Sequence, residues 1–247
     1  MNAKVWLVGA GPGDPELLTL KAVRALRAAE VVMIDDLVNL AVLEHCPDAK
    51  ILRVGKRGGC RSTPQEFIHH LMLRYARQGK CVVRLKGGDP CIFGRGSEEA
   101  EWLDAHGIEV ELVNGITAGL AGATQCGIPL TLRGVARGVT LLTAHTQDDS
   151  HLNWRALAQT GTTLVIYMGV AKLDEVRREL LAGGLAPSTP VAMIENASLP
   201  HQRECRSVLS TMDQAARAFE LKAPAVIVIG EVVSQGYLRE LHASMSA

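Results

Sequence analysis

Five short segments of this chain hold residue types that bind ligands or move protons. They are Gly9-Ala10-Gly11-Pro12-Gly13-Asp14-Pro15, Asp35-Asp36, Gly55-Lys56-Arg57-Gly58-Gly59, Lys86-Gly87-Gly88-Asp89-Pro90 and Asn114-Gly115-Ile116-Thr117-Ala118. Glycine lets a backbone approach a ligand closely, and a carboxylate such as Asp35 can accept a proton. The charge around them is uneven. Lys plus Arg and Asp plus Glu both number 26, so the formal net charge is zero, which argues against a general nucleic-acid binder. Yet Lys50 to Arg95 holds 11 basic and 2 acidic residues, a net +9 balanced by an acidic remainder. A concentrated basic stretch suits an anionic ligand. Arg74, Arg77 and Lys80 within it read instead as solvated helix faces.

The first segment opens like a dinucleotide-binding turn. Gly9 and Gly11 have the right spacing, and Asp35 follows at about 20 residues further on. The pattern then breaks. Position 14 is Asp where the third glycine belongs, which sets a carboxylate where a pyrophosphate would lie. Pro12 and Pro15 also remove backbone donors. Other chemistries find less support. The six cysteines form no C-x-x-C pair and the eight histidines are scattered, so no metal site is expected. His69 and His70 read as surface or edge residues of a helix. No Ser/His/Asp or Cys/His nucleophile stands out.

The elements that must position these segments follow from apolar patterning. With 247 residues, 47% of them hydrophobic, the chain is long enough for one or two ordinary globular domains. Strands are expected at Lys4–Val8, Val31–Ile34, Ile51–Val54, Cys81–Leu85 and Val110–Val113. Asp14-Pro15-Glu16 reads as a helix start, with Leu18, Ala22, Ala25, Leu26 and Ala29 forming its apolar stripe. Thr63-Pro64-Gln65-Glu66 reads as a capping box. It opens a helix with Phe67, Ile68, Leu71, Met72 and Tyr75 inward and Gly79 at its end. A further helix is expected near Glu98–His106. Strands alternating with helices imply a mostly parallel sheet with helices on both faces. All five segments then follow strands, at the carboxyl edge where such sheets bind ligands.

The second half reads as a mixed sheet. Its strands are expected at Val139–Thr143, Thr163–Tyr167, Val191–Ile194, Arg206–Leu209 and Ala225–Ile229, with helices at Leu173–Leu181 and Met212–Phe219. Two α/β domains are expected, 1–115 and 116–247. No run approaches 18 apolar residues, so no membrane span is expected. The apolar opening stops at Gly9, too short for a secretory segment. A cytoplasmic protein with reduced thiols is the resulting expectation.

The stretch Val5-Trp6-Leu7-Val8-Gly9-Ala10-Gly11-Pro12-Gly13-Asp14-Pro15 resembles the opening of the tetrapyrrole methylase family. Residues 54–59 (VGKRGG), 84–96 (RLKGGDPCIFGRG), 127–134 (GIPLTLRG), 167–169 (YMG) and 191–203 (VAMIENASLPHQR) are similar to the branch that C-methylates uroporphyrinogen III. The likeness runs from Val5 to about Val233. It implies a two-domain α/β fold with the active site in a cleft between the domains, and a homodimer. It also implies S-adenosyl-L-methionine as methyl donor, with S-adenosyl-L-homocysteine left behind. The reaction implied is methylation of C2 and C7 through precorrin-1 to precorrin-2, feeding sirohaem, cobalamin or haem d1 synthesis. The N-terminal domain would bind the tetrapyrrole and part of the cofactor, the C-terminal domain the cofactor.

Site residues follow by motif. The resemblance implies cofactor contacts at Pro12, Gly87, Gly88, Asp89, Ile92, Thr117, Ala118, Met168 and Ala197. It implies Asp35 as proton acceptor, Lys56 as proton donor, and Arg95, Glu98 and Arg133 in holding or activating the macrocycle. Arg57, with Arg61 and Arg137, joins the cations suited to a substrate with many carboxylates. Each role has a plainer alternative. Asp35 could cap a turn, Lys56 could be one more substrate cation, Glu98 could answer the helix dipole, and Met168 could be packing. Ile34, Cys91, Ser97, Asn114 and Leu132 depart from the residues usual at those positions. A methyltransferase of the same fold acting on a later precorrin, and an NAD(P)-dependent oxidoreductase, remain as alternatives.

Overall fold

The computed structural model describes residues 4–55, 63–145 and 152–235. The chain divides into two compact units, 1–117 and 118–247.

In the first unit, strand β2 (Val31–Ile34) is apolar and buried at all its positions. Only a strand covered on both faces reads this way. It lies in a five-stranded sheet with β1 (Lys4–Gly9), β3 (Lys50–Arg53), β4 (Val82–Lys86) and β5 (Glu109–Val113), in the order β3-β2-β4-β1-β5. Every neighbouring pair is parallel. Helix α1 (Leu20–Ala28) covers one face, packing Ala22, Ala25 and Leu26 against Val8, Val32, Ile34, Val83 and Leu85. Helices α2 (Gln65–Arg77) and α3 (Gly96–Asp104) cover the other, with Ile68, Met72 and Leu103 against Val5, Leu7, Met33 and Val82. Each fully buried Leu, Ile or Met contributes about 1.5–3 kcal/mol. The alternation along β4 therefore sends Val83 and Leu85 to one side and Val82, Arg84 and Lys86 to the other.

Three local expectations need correction here. Asp14 does cap a turn, accepting from the Glu16 amide at 2.9 Å, but that turn is a short 3-10 segment, Pro15–Leu17. The α-helix begins later, with the Thr19 hydroxyl accepting from the Ala22 amide at 3.1 Å. The expected capping box at Thr63 does not form: its hydroxyl donates to the Gly55 carbonyl at 3.2 Å, and α2 starts without a side-chain cap. The inward face of α2 is also rotated from the expected one. Phe67 is exposed, while His69 is buried and stacks on Trp102.

The second unit opens with α4 (Ala118–Gln125), followed by β6 (Val139–Thr143), α5 (Trp154–Gln159), β7 (Thr163–Tyr167) and α6 (Leu173–Ala182). Then come β8 (Pro190–Glu195), β9 (Arg203–Val208), α7 (Met212–Phe219) and β10 (Ala225–Ile229). The sheet order is β6-β7-β10-β8-β9. Strands β6 and β7 are parallel, and β10 runs antiparallel to both β7 and β8. β6, β7 and β8 therefore finish at one edge. Helices α5, α6 and α7 pack on one face of the sheet and α4 on the other.

Candidate functional site

In the first unit the loops after β1, β4 and β5 lie side by side because their strands do. The Gly88 amide donates to the Gly11 carbonyl at 2.7 Å and the Gly11 amide to the Gly88 carbonyl at 3.2 Å. Gly9 and Gly115 meet so closely that a Cβ on Gly9 would lie 2.6 Å from the Gly115 Cα. A Cβ on Gly115 would collide with the Gly88 carbonyl oxygen. Asp89 locks this arrangement. One carboxylate oxygen accepts from the Cys91 amide at 2.8 Å, and the other from the Gly115 amide at 3.1 Å and the Asn114 side chain at 3.4 Å. Asn114, one of the departures from the family pattern, thus joins the β4 and β5 loops. Asp89 is buried and its oxygens are engaged by the protein.

Asp35 stands at the carboxyl end of β2, next to β4. Its Oδ1 accepts from the Leu37 amide at 3.1 Å, the turn cap that is its plainer role. Its Oδ2 lies 4.0 Å from Arg84 Nη2, and a quarter of its side chain is open to solvent. Arg95 adopts the left-handed conformation, φ 57°, just before α3. Its guanidinium forks onto Glu98, with Nε at 3.0 and 3.1 Å and Nη2 at 2.7 Å. The hydrogen bonds from Arg95 hold the Glu98 carboxyl below its usual range. Both side chains are about half exposed. Arg133 and Arg137 are exposed in the second unit, Arg133 within a turn closed by Leu132 and Ala136 and Arg137 just after it. Lys56, Arg57 and Arg61 lie outside the described residues.

Among the described residues, the basic stretch is not one patch. Lys80 pairs with Glu30 at 2.7 Å, and Lys50 donates to the Tyr75 hydroxyl at 2.8 Å. Arg84 and Lys86 are buried and turn inward onto Glu99 of α3. Lys86 Nζ is 3.0 Å and Arg84 Nε 3.4 Å from Glu99 Oε1, which also accepts from Gln65 at 2.8 Å. Burial, with Arg84 alongside, lowers the Lys86 ammonium below its ordinary value, and Glu99 opposes that shift. The motifs in the sequence do not reveal this cluster. The alternation of Arg84 and Lys86 within an otherwise apolar strand is the signal that could have found it.

In the second unit, Met168 follows β7 with φ 54° and is half exposed. Ala197 follows β8 between Asn196 and Ser198, both also at positive φ. Ala118 begins α4, and the next residue, Gly119, donates its amide to the Tyr167 hydroxyl at 2.9 Å. Ala118, Met168 and Ala197 therefore sit around the edge where β7 and β8 end. Pro12, Gly87, Gly88, Ile92 and Thr117 sit in the first unit, on the loops after β1, β4 and β5.

A parallel sheet that gathers glycine loops at its carboxyl edge is the frame of a ligand-binding α/β enzyme. The loop chemistry narrows the class. The Asp14 carboxylate takes the amide that a phosphate would need at the end of the first loop. This is not a dinucleotide turn. The chain belongs to the tetrapyrrole (corrin/porphyrin) methylase family, whose model matches residues 4–213. It is 73% identical over 232 residues to a uroporphyrinogen-III C-methyltransferase of Pseudomonas aeruginosa, covering 94% of this chain and 95% of that protein. It is 70% identical over 247 residues to the protein of that name from Pseudomonas fluorescens, covering all of both. Among solved structures it resembles a uroporphyrin-III C-methyltransferase of Thermus thermophilus complexed with S-adenosylhomocysteine. The TM-score is 0.80 and the identity 44%, covering 94% of this chain and 99% of that one.

Proposed function

We propose that this chain methylates uroporphyrinogen III at C2 and C7, giving precorrin-2 by way of precorrin-1, with S-adenosyl-L-methionine as donor. The observation that carries this is the identity of 70% or more, across nearly the whole chain, to two proteins named for that reaction. The residues present suit the donor. Gly88, at φ 70°, carries no side chain, and a Cβ there would point at Thr117 Cα, 3.7 Å away. Met168, itself at positive φ, and Ala197, between two residues at positive φ, offer small or apolar surface suited to a neutral nucleoside rather than a phosphate. When bound, the donor supplies an electrophilic methyl group.

The protein's own part is to position and to move a proton. A carbon–carbon bond forms at the pyrrole as the carbon–sulfur bond breaks, and in-line alignment contributes most of the rate. A proton must then leave the macrocycle. Asp35 is the proposed acceptor, because it is partly open at the ligand-bearing edge and has one oxygen committed to the turn and the other 4.0 Å from Arg84 Nη2. Lys56 is the proposed donor. Arg57, Arg95 and Arg133 are the proposed partners of the substrate carboxylates, with Glu98 holding Arg95 in place until a substrate carboxylate replaces it. The reading also carries a cytoplasmic homodimer, which light scattering on the purified protein checks. Among the described residues no helix is long and apolar enough to cross a membrane.

The test is incubation of the purified protein with uroporphyrinogen III and methyl-labelled donor. Two labelled methyl groups per macrocycle are expected. No transfer to uroporphyrinogen III, with transfer to a later precorrin instead, would replace this reading by the same-fold alternative.

A further inference from the structure

Glu99 is fully buried, and nothing in the reaction described above uses it. Its Oε1 receives Gln65, Lys86 and Arg84, while its Oε2 has no hydrogen-bond partner among the described residues. Replacing such a buried ionic group by apolar packing is often neutral or stabilising, so the cluster is poorly explained by stability alone. Arg84 connects it to the site. Its Nη1 donates to the carbonyls of Met33 at 3.4 Å and Leu85 at 3.2 Å, its Nε faces Glu99, and its Nη2 faces Asp35 at 4.0 Å. The guanidinium is pinned on every side but the one that meets Asp35.

We propose that Arg84 and Glu99 are positioning residues for methyl transfer. Glu99 fixes the guanidinium against the sheet, and the guanidinium orients Asp35 and sets the charge balance around it. This rests on the reading of Asp35 as proton acceptor. The other titratable groups around the pair are Lys86 on β4, His69 on α2, and Glu98 with Arg95 at the start of α3. Burial lowers His69 below its ordinary value, and its Nε2 lies 3.2 Å from the Gln65 side-chain nitrogen. Among the described residues, the cation paired with Asp35 is Arg84, with Lys86 and Glu99 behind it and Asp36 next in the chain.

The experiment is the steady-state kinetics of Arg84→Gln, Arg84→Lys and Glu99→Gln, read beside Asp35→Asn. Arg84→Gln lowers kcat by about tenfold, while the KM for the tetrapyrrole and the affinity for S-adenosylhomocysteine stay within about threefold of wild type, because only the proton step is disturbed. Arg84→Lys keeps the charge and restores most of kcat. Glu99→Gln keeps the shape, lowers kcat by about threefold to tenfold at unchanged KM, and keeps the inference testable should Arg84→Gln fail to fold. An Arg84→Gln enzyme with wild-type kcat, an Arg84→Lys enzyme that behaves like Arg84→Gln, or a Glu99→Gln enzyme with wild-type kcat overturns the inference. The reference arm separates the two ideas. If Asp35→Asn is slow while Arg84→Gln keeps wild-type kcat, the cluster alone is wrong. If Asp35→Asn turns over normally, the acceptor role fails and takes the inference with it.

Discussion

The two units build their candidate residues at the edges of two five-stranded sheets, but from different materials. In the first, the ends of β2 and β4 carry acidic and basic side chains, Asp35 outside and Arg84 and Lys86 beneath it, with Glu99 of α3 set against the last two. In the second, the ends of β7 and β8 are shaped by backbone. Met168, Asn196 and Ser198 have positive φ, and the Tyr167 hydroxyl meets the Gly119 amide. The difference matches the two halves of the proposed reaction. Proton removal from a polycarboxylate needs placed charge, whereas holding a nucleoside and its methyl group needs a fitted neutral surface.

The comparison is broken most severely at its buried carboxylates. Glu99→Ala leaves Arg84 and Lys86 buried without their shared partner, and should destabilise the protein by about 3–5 kcal/mol. Glu195, the counterpart in the second unit, accepts from the Lys222 amide at 3.0 Å and from Arg203, which is itself 45% exposed. Solvent screens that partner, so Glu195→Ala should cost about 2 kcal/mol, chiefly through the stranded amide. Paired denaturant titrations measure both. Equal losses would mean that the first unit's cluster is no more tightly coupled than a half-exposed ion pair.

A smaller difference is expected between glycines. Gly115→Ala drives a methyl group into the Gly88 carbonyl and should destabilise by about 3 kcal/mol while weakening S-adenosylhomocysteine binding. Gly122→Ala in α4 meets side-chain atoms, the Ala197 Cβ at 3.1 Å and Ile194 Cγ2 and Cδ1 at 3.2 and 3.6 Å, rather than backbone. Helix propensity offsets that contact, so its effect should stay within about 1 kcal/mol. Thermal melts with and without S-adenosylhomocysteine check the pair.

The smallest contrast is in thiol chemistry. Cys91 is exposed on the β4 loop, whereas Cys126 is buried and burial pushes its thiol up to about 12. Alkylation near pH 8, mapped by mass spectrometry, should mark Cys91 while Cys126 stays unlabelled until the protein unfolds. The Cys126 thiol also gives stability a sign against pH. Its contribution is full below the ordinary thiol value of 9.0 and declines as pH rises towards about 12, because the unfolded chain loses that proton first. Labelling of Cys126 at the Cys91 rate would show that the second unit's edge is open.

The strands were the most legible part of the molecule. Runs such as Val31–Ile34 and Thr163–Tyr167 are apolar because both faces of the sheet are covered. Helix α4 was missed because its buried face, Gly119, Ala121, Gly122 and Ala123, is made of small residues and forms no large apolar stripe, while Leu120 is exposed. The α2 start was misread because Thr63 spends its hydroxyl on Gly55. The loops at the carboxyl edge were legible as glycines and short polar residues. The Arg84–Lys86–Glu99 cluster was not. It depends on a helix folding back 13 residues later to set one carboxylate against two lysine-and-arginine side chains of one strand face, and charge counting spread those cations over a presumed ligand surface.

The most direct measurement is single-turnover methylation by Asp35→Asn, with its melting temperature and its affinity for S-adenosylhomocysteine taken on the same preparation. Asn keeps the shape and an oxygen to accept from Leu37, and it caps turns about as well as Asp. Loss of a general base lowers the rate by about 10²–10⁴-fold. The account predicts a loss of that size with unchanged melting and unchanged affinity. Turnover within about a factor of two of wild type would contradict it, leaving Asp35 a turn cap and moving proton transfer to another group.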